Sequence, residues 1–165
     1  MNSDKQRTTY AFLILCIGIA LMLAGCQRQS QGSAPANQQA EIKEFFGMPI
    51  PLQETNFAHY SLDDQYGIYL YGMQEIATPK LYLATAYAAE GEKVVPYLSE
   101  RLKISTNDET TSDIIAVFRG MQRQKTYDVR TDAQLTQTLS ESVSRIKQPF
   151  WRHIAERDLK YIQKT

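Results

Sequence analysis

Residues 78–102 read TPKLYLATAYAAEGEKVVPYLSERL and contain two helical segments separated by a single glycine. The first segment, 81–89, is apolar almost all round, which is typical of a helix covered by its neighbours. Thr78 and Pro79 suit the N-cap and the first helical position. Gly91 suits a left-handed residue that ends the helix. The stretch therefore predicts a pair of antiparallel helices.

Helical periodicity continues on both sides of this stretch. In 93–103 the apolar side chains share one face, and Pro96 lies in the first turn, where no backbone donor is lost. We expect Ser61 to cap the preceding helix, and Thr131 to open a later one through a capping box with Gln134. No run alternates with a period of two between hairpin turns, so the sequence predicts an all-α fold. The other predicted helices are 40–46, 61–76, 114–121, 135–146 and 149–162.

Residues 78–102 resemble a HEAT repeat, with an Ala-rich first helix, a Gly turn, a Val-Val-Pro-x-Leu entry and a second amphipathic helix. The next pair, 111–146, resembles this family only in helix length and apolar spacing. Its linker, 125–130, is longer than the family's turn and has neither a glycine nor a Val-Pro entry. The resemblance implies a short solenoid of antiparallel helical pairs, and a compact helical bundle is the alternative.

The N-terminal residues have the organisation of a secretory signal. Lys5 and Arg7 precede an apolar run of 13 residues, 11–23. This length fits the apolar region of a signal peptide and is too short for a helix that spans a bilayer. The sequence therefore predicts export from the cytoplasm.

The sequence Leu-Ala-Gly-Cys at 23–26 resembles the lipobox of bacterial lipoproteins. The resemblance implies cleavage after residue 25 and acylation of Cys26, which would hold the protein to a lipid bilayer. More than one acyl chain is needed for a stable anchor, since each buried CH₂ contributes roughly 0.8 kcal/mol. Gln27 follows the cysteine in place of an aspartate, which by the same resemblance implies the outer membrane, facing the periplasm. An ordinary signal peptide, or an N-terminal anchor, with a chance cysteine is the alternative.

The lipobox resemblance implies a signal peptide, 1–25, and a lipidated Cys26. Composition then predicts a flexible linker within 26–39 and a helical domain, 40–165. The linker has no large apolar residue and so cannot form a core. Residues 1–25 hold two of the 18 basic and one of the 18 acidic side chains, which leaves 16 basic and 17 acidic ones. A nearly neutral domain lacks the basic field of a nucleic-acid-binding protein.

The chain contains no G-x-S-x-G, H-E-x-x-H or Gly-rich phosphate-binding sequence. His153 and Glu156 could share a metal ion, but two ligands do not make a site. We therefore predict no catalytic residue, no metal site and no cofactor. The alternative is an envelope hydrolase or lyase in which Glu90, Glu92 and Asp113 converge in one groove.

Two pairs of residues suit recognition of a partner. Tyr71 and Tyr97 lie off the main apolar stripes, and tyrosine is enriched at protein interfaces. Arg119 and Arg123 share a helix face and suit an acidic partner or anionic lipid. The sequence therefore predicts a lipid-anchored, non-catalytic module that binds a protein of the cell envelope through these four residues. An immunity or exclusion lipoprotein would differ only in its partner.

Overall fold

The computed structural model describes residues 36–164, and within this range the chain forms eight α-helices and no strands. The predicted all-α fold is confirmed. The predicted signal peptide and Cys26 lie outside the described residues. The helices are α1 Ala36–Gly47, α2 Ile50–Asn56, α3 Leu62–Leu70, α4 Tyr82–Ala89, α5 Val95–Ile104, α6 Asp108–Gln124, α7 Ala133–Arg145 and α8 Pro149–Lys164. A π-helical segment, Tyr71–Glu75, continues α3, and 3₁₀ turns occupy Phe57–His59, Gly91–Val94 and Val129–Thr131.

The start of α3 agrees with the sequence, whereas the start of α4 does not. Ser61 caps α3, because its hydroxyl accepts a hydrogen bond from the Asp64 N–H at 3.2 Å. The predicted start of α4 at Pro79 is wrong, since the helix begins at Tyr82. The Lys80 N–H instead donates to the carbonyl of Gly72 at 3.0 Å. This contact with the π-helical segment holds the preceding residues outside the helix.

Two further helix starts differ from the prediction by a few residues. Asp132, not Thr131, caps α7, because its carboxylate accepts from the Leu135 N–H at 2.9 Å. Thr131 belongs to the preceding 3₁₀ turn. The first helix begins at Ala36, so residues 36–39, which we predicted as the end of the linker, are helical.

Gly91 adopts the left-handed conformation predicted for it, with φ of +59°. A Cβ atom at this position would lie 2.8 Å from the carbonyl oxygen of Thr126, just beyond the end of α6. The Thr126 hydroxyl also donates to the carbonyl of Ala88 at 2.6 Å. The turn between α4 and α5 therefore packs against the C-terminal end of α6.

Helix α6 is central to the packing. It lies against α4 on one side and α8 on the other, while α5 packs on α7. Packing of this kind is compatible with a bundle and with a short solenoid, so membership of the HEAT family stays a prediction. Edge-to-face aromatic pairs fill the core between the N-terminal helices and α4. In the series Phe45, Phe57, Tyr87 and Tyr69, the centroids of successive rings lie 5.3 to 6.1 Å apart.

None of the helices within residues 36–164 is both long and apolar enough to cross a membrane.

Candidate functional site

An open groove of about 230 Å³ lies along helices α4 and α6. The two helices approach closely here, since a Cβ atom at Gly120 would lie 2.8 Å from the Cβ of Ala88. Leu81 lines the groove and is 67% exposed, so an apolar side chain faces solvent at its edge. We call this feature the arginine groove; its lining residues are Met73, Leu81, Ala84, Thr85, Ala116, Arg119, Gly120 and Arg123.

Arg119 and Arg123 both line the arginine groove, as their predicted common face requires. Arg119 is held by α8, because its guanidinium lies 3.3 Å from the carboxylate of Asp158. The same guanidinium lies 5.4 Å from the ring centroid of Tyr161. Asp158 is buried and also accepts a hydrogen bond from Arg157. Arg119 therefore contributes to the packing of α6 on α8 as well as to the groove.

Arg123 differs from Arg119 in having no internal acceptor. Its side chain is exposed and makes no ion pair or hydrogen bond with any residue of the described range. A guanidinium carries five N–H donors in a planar fork that matches a carboxylate. The groove consequently presents an uncompensated positive charge beside apolar side chains.

Tyr71 is exposed and lies in the π-helical segment, two residues before the groove-lining Met73. Its ring packs against Phe46, with the centroids 5.5 Å apart. Tyr71 is not itself a lining residue of the groove. Its contact with a partner stays a prediction.

Tyr97 is half-buried in a polar contact between α3 and α5. Its hydroxyl donates to the Asp63 carboxylate at 2.7 Å and accepts from Arg101 Nε at 2.9 Å. The Arg101 guanidinium also lies 5.2 Å from the ring centroid of Tyr66 and 4.9 Å from that of Tyr97. The hydrogen bond from Tyr97 lowers the pKa of Asp63. Tyr97 therefore joins two helices, and its contact with a partner also stays a prediction.

The carboxylates considered for an enzyme lie at opposite ends of α6. Glu90 forms an ion pair with Lys93 at 2.6 Å and belongs to the turn beside Thr126. Asp113 lies in the second turn of α6. Asp113 lies eleven residues before the end of α6 at Gln124, a separation of about 17 Å along the helix. Glu90, Glu92 and Asp113 thus do not converge in one groove.

Asp113 has a polar environment that the sequence did not reveal. It is buried, and its carboxylate accepts a hydrogen bond from Gln74 Nε2 at 2.8 Å. The Tyr69 hydroxyl donates to its backbone carbonyl at 2.8 Å. Burial raises the pKa of Asp113 to about 7. The run Thr-Thr-Ser-Asp at 110–113, four polar residues at the start of an amphipathic helix, was the available indication of a buried polar contact.

No cluster of three or more His, Cys, Asp or Glu side chains that could hold a metal ion occurs among residues 36–164. His153 is exposed on α8.

No protein-family model, curated protein or solved structure matches the chain. The function of the arginine groove is therefore inferred from its own residues.

Proposed function

We propose that the protein is a lipid-anchored, non-catalytic interaction module of the cell envelope that binds an acidic segment of a partner protein in the arginine groove. The observation that carries this proposal is Arg123, an unpaired guanidinium at the rim of an apolar groove. Charge complementarity defines the partner's segment. It carries a carboxylate that binds Arg123 and, next to it, an apolar side chain that packs on the floor of the groove.

The size of the groove supports a protein partner over a small molecule. Pockets for small molecules have volumes of about 300–1,000 Å³ and enclose most of the ligand. The arginine groove has about 230 Å³ and is open to solvent. Such a surface accommodates one or two side chains from a partner, with Leu81 at the edge as an apolar contact.

The two arginines have different parts in this proposal. Arg119 is held in the fold by its ion pair with Asp158, so part of its hydrogen-bonding capacity is already used within the domain. Arg123 supplies the charge that selects an acidic segment. Tyr71 is close along the chain to Met73 of the groove and extends the proposed contact. Tyr97 belongs to the contact between α3 and α5 and forms a second candidate surface.

The anchor is proposed from the lipobox resemblance at 23–26, which implies acylation of Cys26. Gln27 after the cysteine supports the outer membrane, facing the periplasm, as the proposed location. The domain would then be confined to the membrane surface, where its partner must be an envelope protein. Confinement raises the effective concentration of the two proteins and lets a small contact area suffice.

The test is in-cell crosslinking followed by affinity purification, with the wild-type chain compared with Cys26→Ala and Arg123→Glu. Lys160→Glu, at an exposed residue of α8 outside the groove, is the matched charge-reversal control. The proposal expects an acylated Cys26 by mass spectrometry and one envelope partner that Arg123→Glu loses and Lys160→Glu retains. A Cys26 without lipid would overturn the anchor, and a partner recovered equally with all variants would overturn the groove.

A further inference from the structure

Two loops are joined at one end of the helical domain. The Asp108 carboxylate accepts hydrogen bonds from the backbone N–H groups of Lys147 and Gln148, at 3.0 and 2.8 Å. The guanidinium of Arg145 donates to the carbonyl of Leu102 at 3.1 Å. The loop between α5 and α6 and the loop between α7 and α8 therefore form one surface. We call it the domain tip, residues 103–108 and 145–152.

Large apolar side chains are exposed at the domain tip. Ile104 is 66% exposed and Phe150 is 65% exposed. The ring of Phe150 lies against the half-buried Trp151, with centroids 4.8 Å apart. Single exposed apolar residues are ordinary on protein surfaces, but here one lies at the helix end beside each of the two joined loops. Trp is enriched at membrane interfaces, and Trp, Phe and Leu form the apolar faces of helices that lie in the interface.

The domain tip is also basic. It holds four cationic side chains and one carboxylate, Asp108, which is occupied by backbone donors. Lys103 is paired with Glu100 at 2.6 Å, whereas the Lys147 side chain makes no hydrogen bond or ion pair within residues 36–164. The four cationic residues are Lys103, Arg145, Lys147 and Arg152.

The first described helix starts near this end of the domain. Gln38 Nε2 donates to the Asp63 carbonyl at 2.9 Å, and the Asp63 carboxylate binds Arg101. Arg101 lies three residues, less than one helical turn, before Ile104. Nine residues, 27–35, separate Cys26 from α1. They can span at most about 35 Å, which keeps the domain tip within reach of the membrane that holds Cys26.

We propose that the domain tip docks on the anionic phospholipid surface of the membrane to which Cys26 is attached. Ile104 and Phe150 enter the boundary between headgroups and acyl chains, and Lys147 lies among the lipid phosphates. This docking rests on the proposed lipidation of Cys26. It would fix the orientation of the arginine groove relative to the membrane.

The experiment uses purified lipidated protein in vesicles of phosphatidylcholine, with or without phosphatidylglycerol. Because the chain after residue 25 has no cysteine besides Cys26, Ile104→Cys and Phe150→Cys each provide one thiol for an environment-sensitive fluorophore. Glu92→Cys, at the exposed turn beside the far end of α6, is the control. At positions 104 and 150 we expect a blue shift of the fluorophore's emission and quenching of that emission by spin-labelled lipid. Both effects should be stronger in vesicles with phosphatidylglycerol, and position 92 should show neither.

A second pair of variants tests the charge. Lys147→Glu in the labelled protein should weaken the dependence on phosphatidylglycerol, and Lys160→Glu should leave it unchanged. An acylated protein that gives no blue shift at 104 and 150 would overturn the docking and leave the anchor standing. A blue shift that appears without vesicles and grows with protein concentration would also overturn it, because a second copy would then cover the domain tip. A Cys26 without acyl mass would overturn the anchor itself.

Discussion

The guanidinium of Arg119 lies 3.3 Å from the carboxylate of Asp158, which is only 1% exposed. This ion pair links α6 to α8, and Arg157 adds a second contact to the same carboxylate at 3.2 Å. Arg123 lies one turn further along α6 and has no such acceptor within the described residues. Two arginines on one helix face thus differ in their role, since one stabilises the fold and the other is available for a partner.

Substitution of the two arginines by methionine should separate these roles. Arg119→Met leaves a buried carboxylate with one exposed partner, and we expect a loss of about 1–2 kcal/mol in the free energy of unfolding, since solvent screens part of the interaction. Arg123→Met should change this free energy by less than about 0.5 kcal/mol. Urea unfolding followed by circular dichroism measures both values. Equal losses in the two variants would contradict the assignment.

Asp113 should make the stability of the protein depend on pH. Burial raises its pKa in the folded state to about 7, above the value of about 3.9 for an unfolded chain. The folded state therefore binds the proton more tightly, and stability falls as pH rises from about 4 to about 7. Asp113→Asn removes the ionisation and keeps an oxygen that can accept from Gln74.

Between pH 5 and pH 8 the free energy of unfolding of the wild type should fall relative to that of Asp113→Asn. We expect this difference to be on the order of 2 kcal/mol. Urea unfolding of both proteins at the two pH values measures this difference. Glu75→Gln, at an exposed acidic residue of the π-helical segment, should show little of this effect. Parallel stability curves for the wild type and Asp113→Asn would contradict the raised pKa.

Two glycines give a matched test of the turn between α4 and α5. Gly91→Ala introduces a Cβ atom at positive φ and 2.8 Å from the Thr126 carbonyl oxygen. We expect a loss of about 1–3 kcal/mol from this combined strain. Gly47→Ala meets no atom within 4 Å and should change stability by less than about 1 kcal/mol. If thermal unfolding showed no difference between the variants, the close approach of this turn to α6 would be wrong.

Tyr97→Phe tests the contact between α3 and α5. The substitution removes the hydroxyl that joins Asp63 to Arg101 and keeps the ring beside the guanidinium. We expect a loss of about 0.5–1.5 kcal/mol, measured by urea unfolding. Tyr71→Phe, at an exposed ring, is the control and should leave stability unchanged. If Tyr97→Phe left the free energy of unfolding unchanged, these hydrogen bonds would make no net contribution to stability.

Local rules predicted the helices and several of their ends. Apolar spacing gave the all-α fold, Ser61 was recognised as an N-cap, and Gly91 as a left-handed turn. The predicted start of α4 is wrong because a hydrogen bond from Lys80 to Gly72, eight residues earlier, overrides the preference of Pro79 for a first helical turn. Contacts of this kind are not visible in periodicity.

The candidate site was predicted only in part. Helical spacing placed Arg119 and Arg123 on one face, and both line the arginine groove. The sequence could not assign Asp158 to Arg119, because the two residues lie 39 positions apart on helices whose packing depends on the whole fold. The groove itself arises from the close approach of α4 to α6 at Gly120, which is also a tertiary property.

The most direct test of the proposed function is photo-crosslinking in cells from the edge of the arginine groove. A photoreactive amino acid replaces Leu81, or Ile50 as an exposed apolar control on α2, and the crosslinked peptides are sequenced by mass spectrometry. The account predicts an adduct from position 81 to an acidic segment of one envelope protein, and no such adduct from position 50. Arg123→Glu should abolish the adduct from position 81, whereas Lys160→Glu should retain it. An adduct that survives Arg123→Glu, or no adduct from folded protein at the membrane, would contradict it.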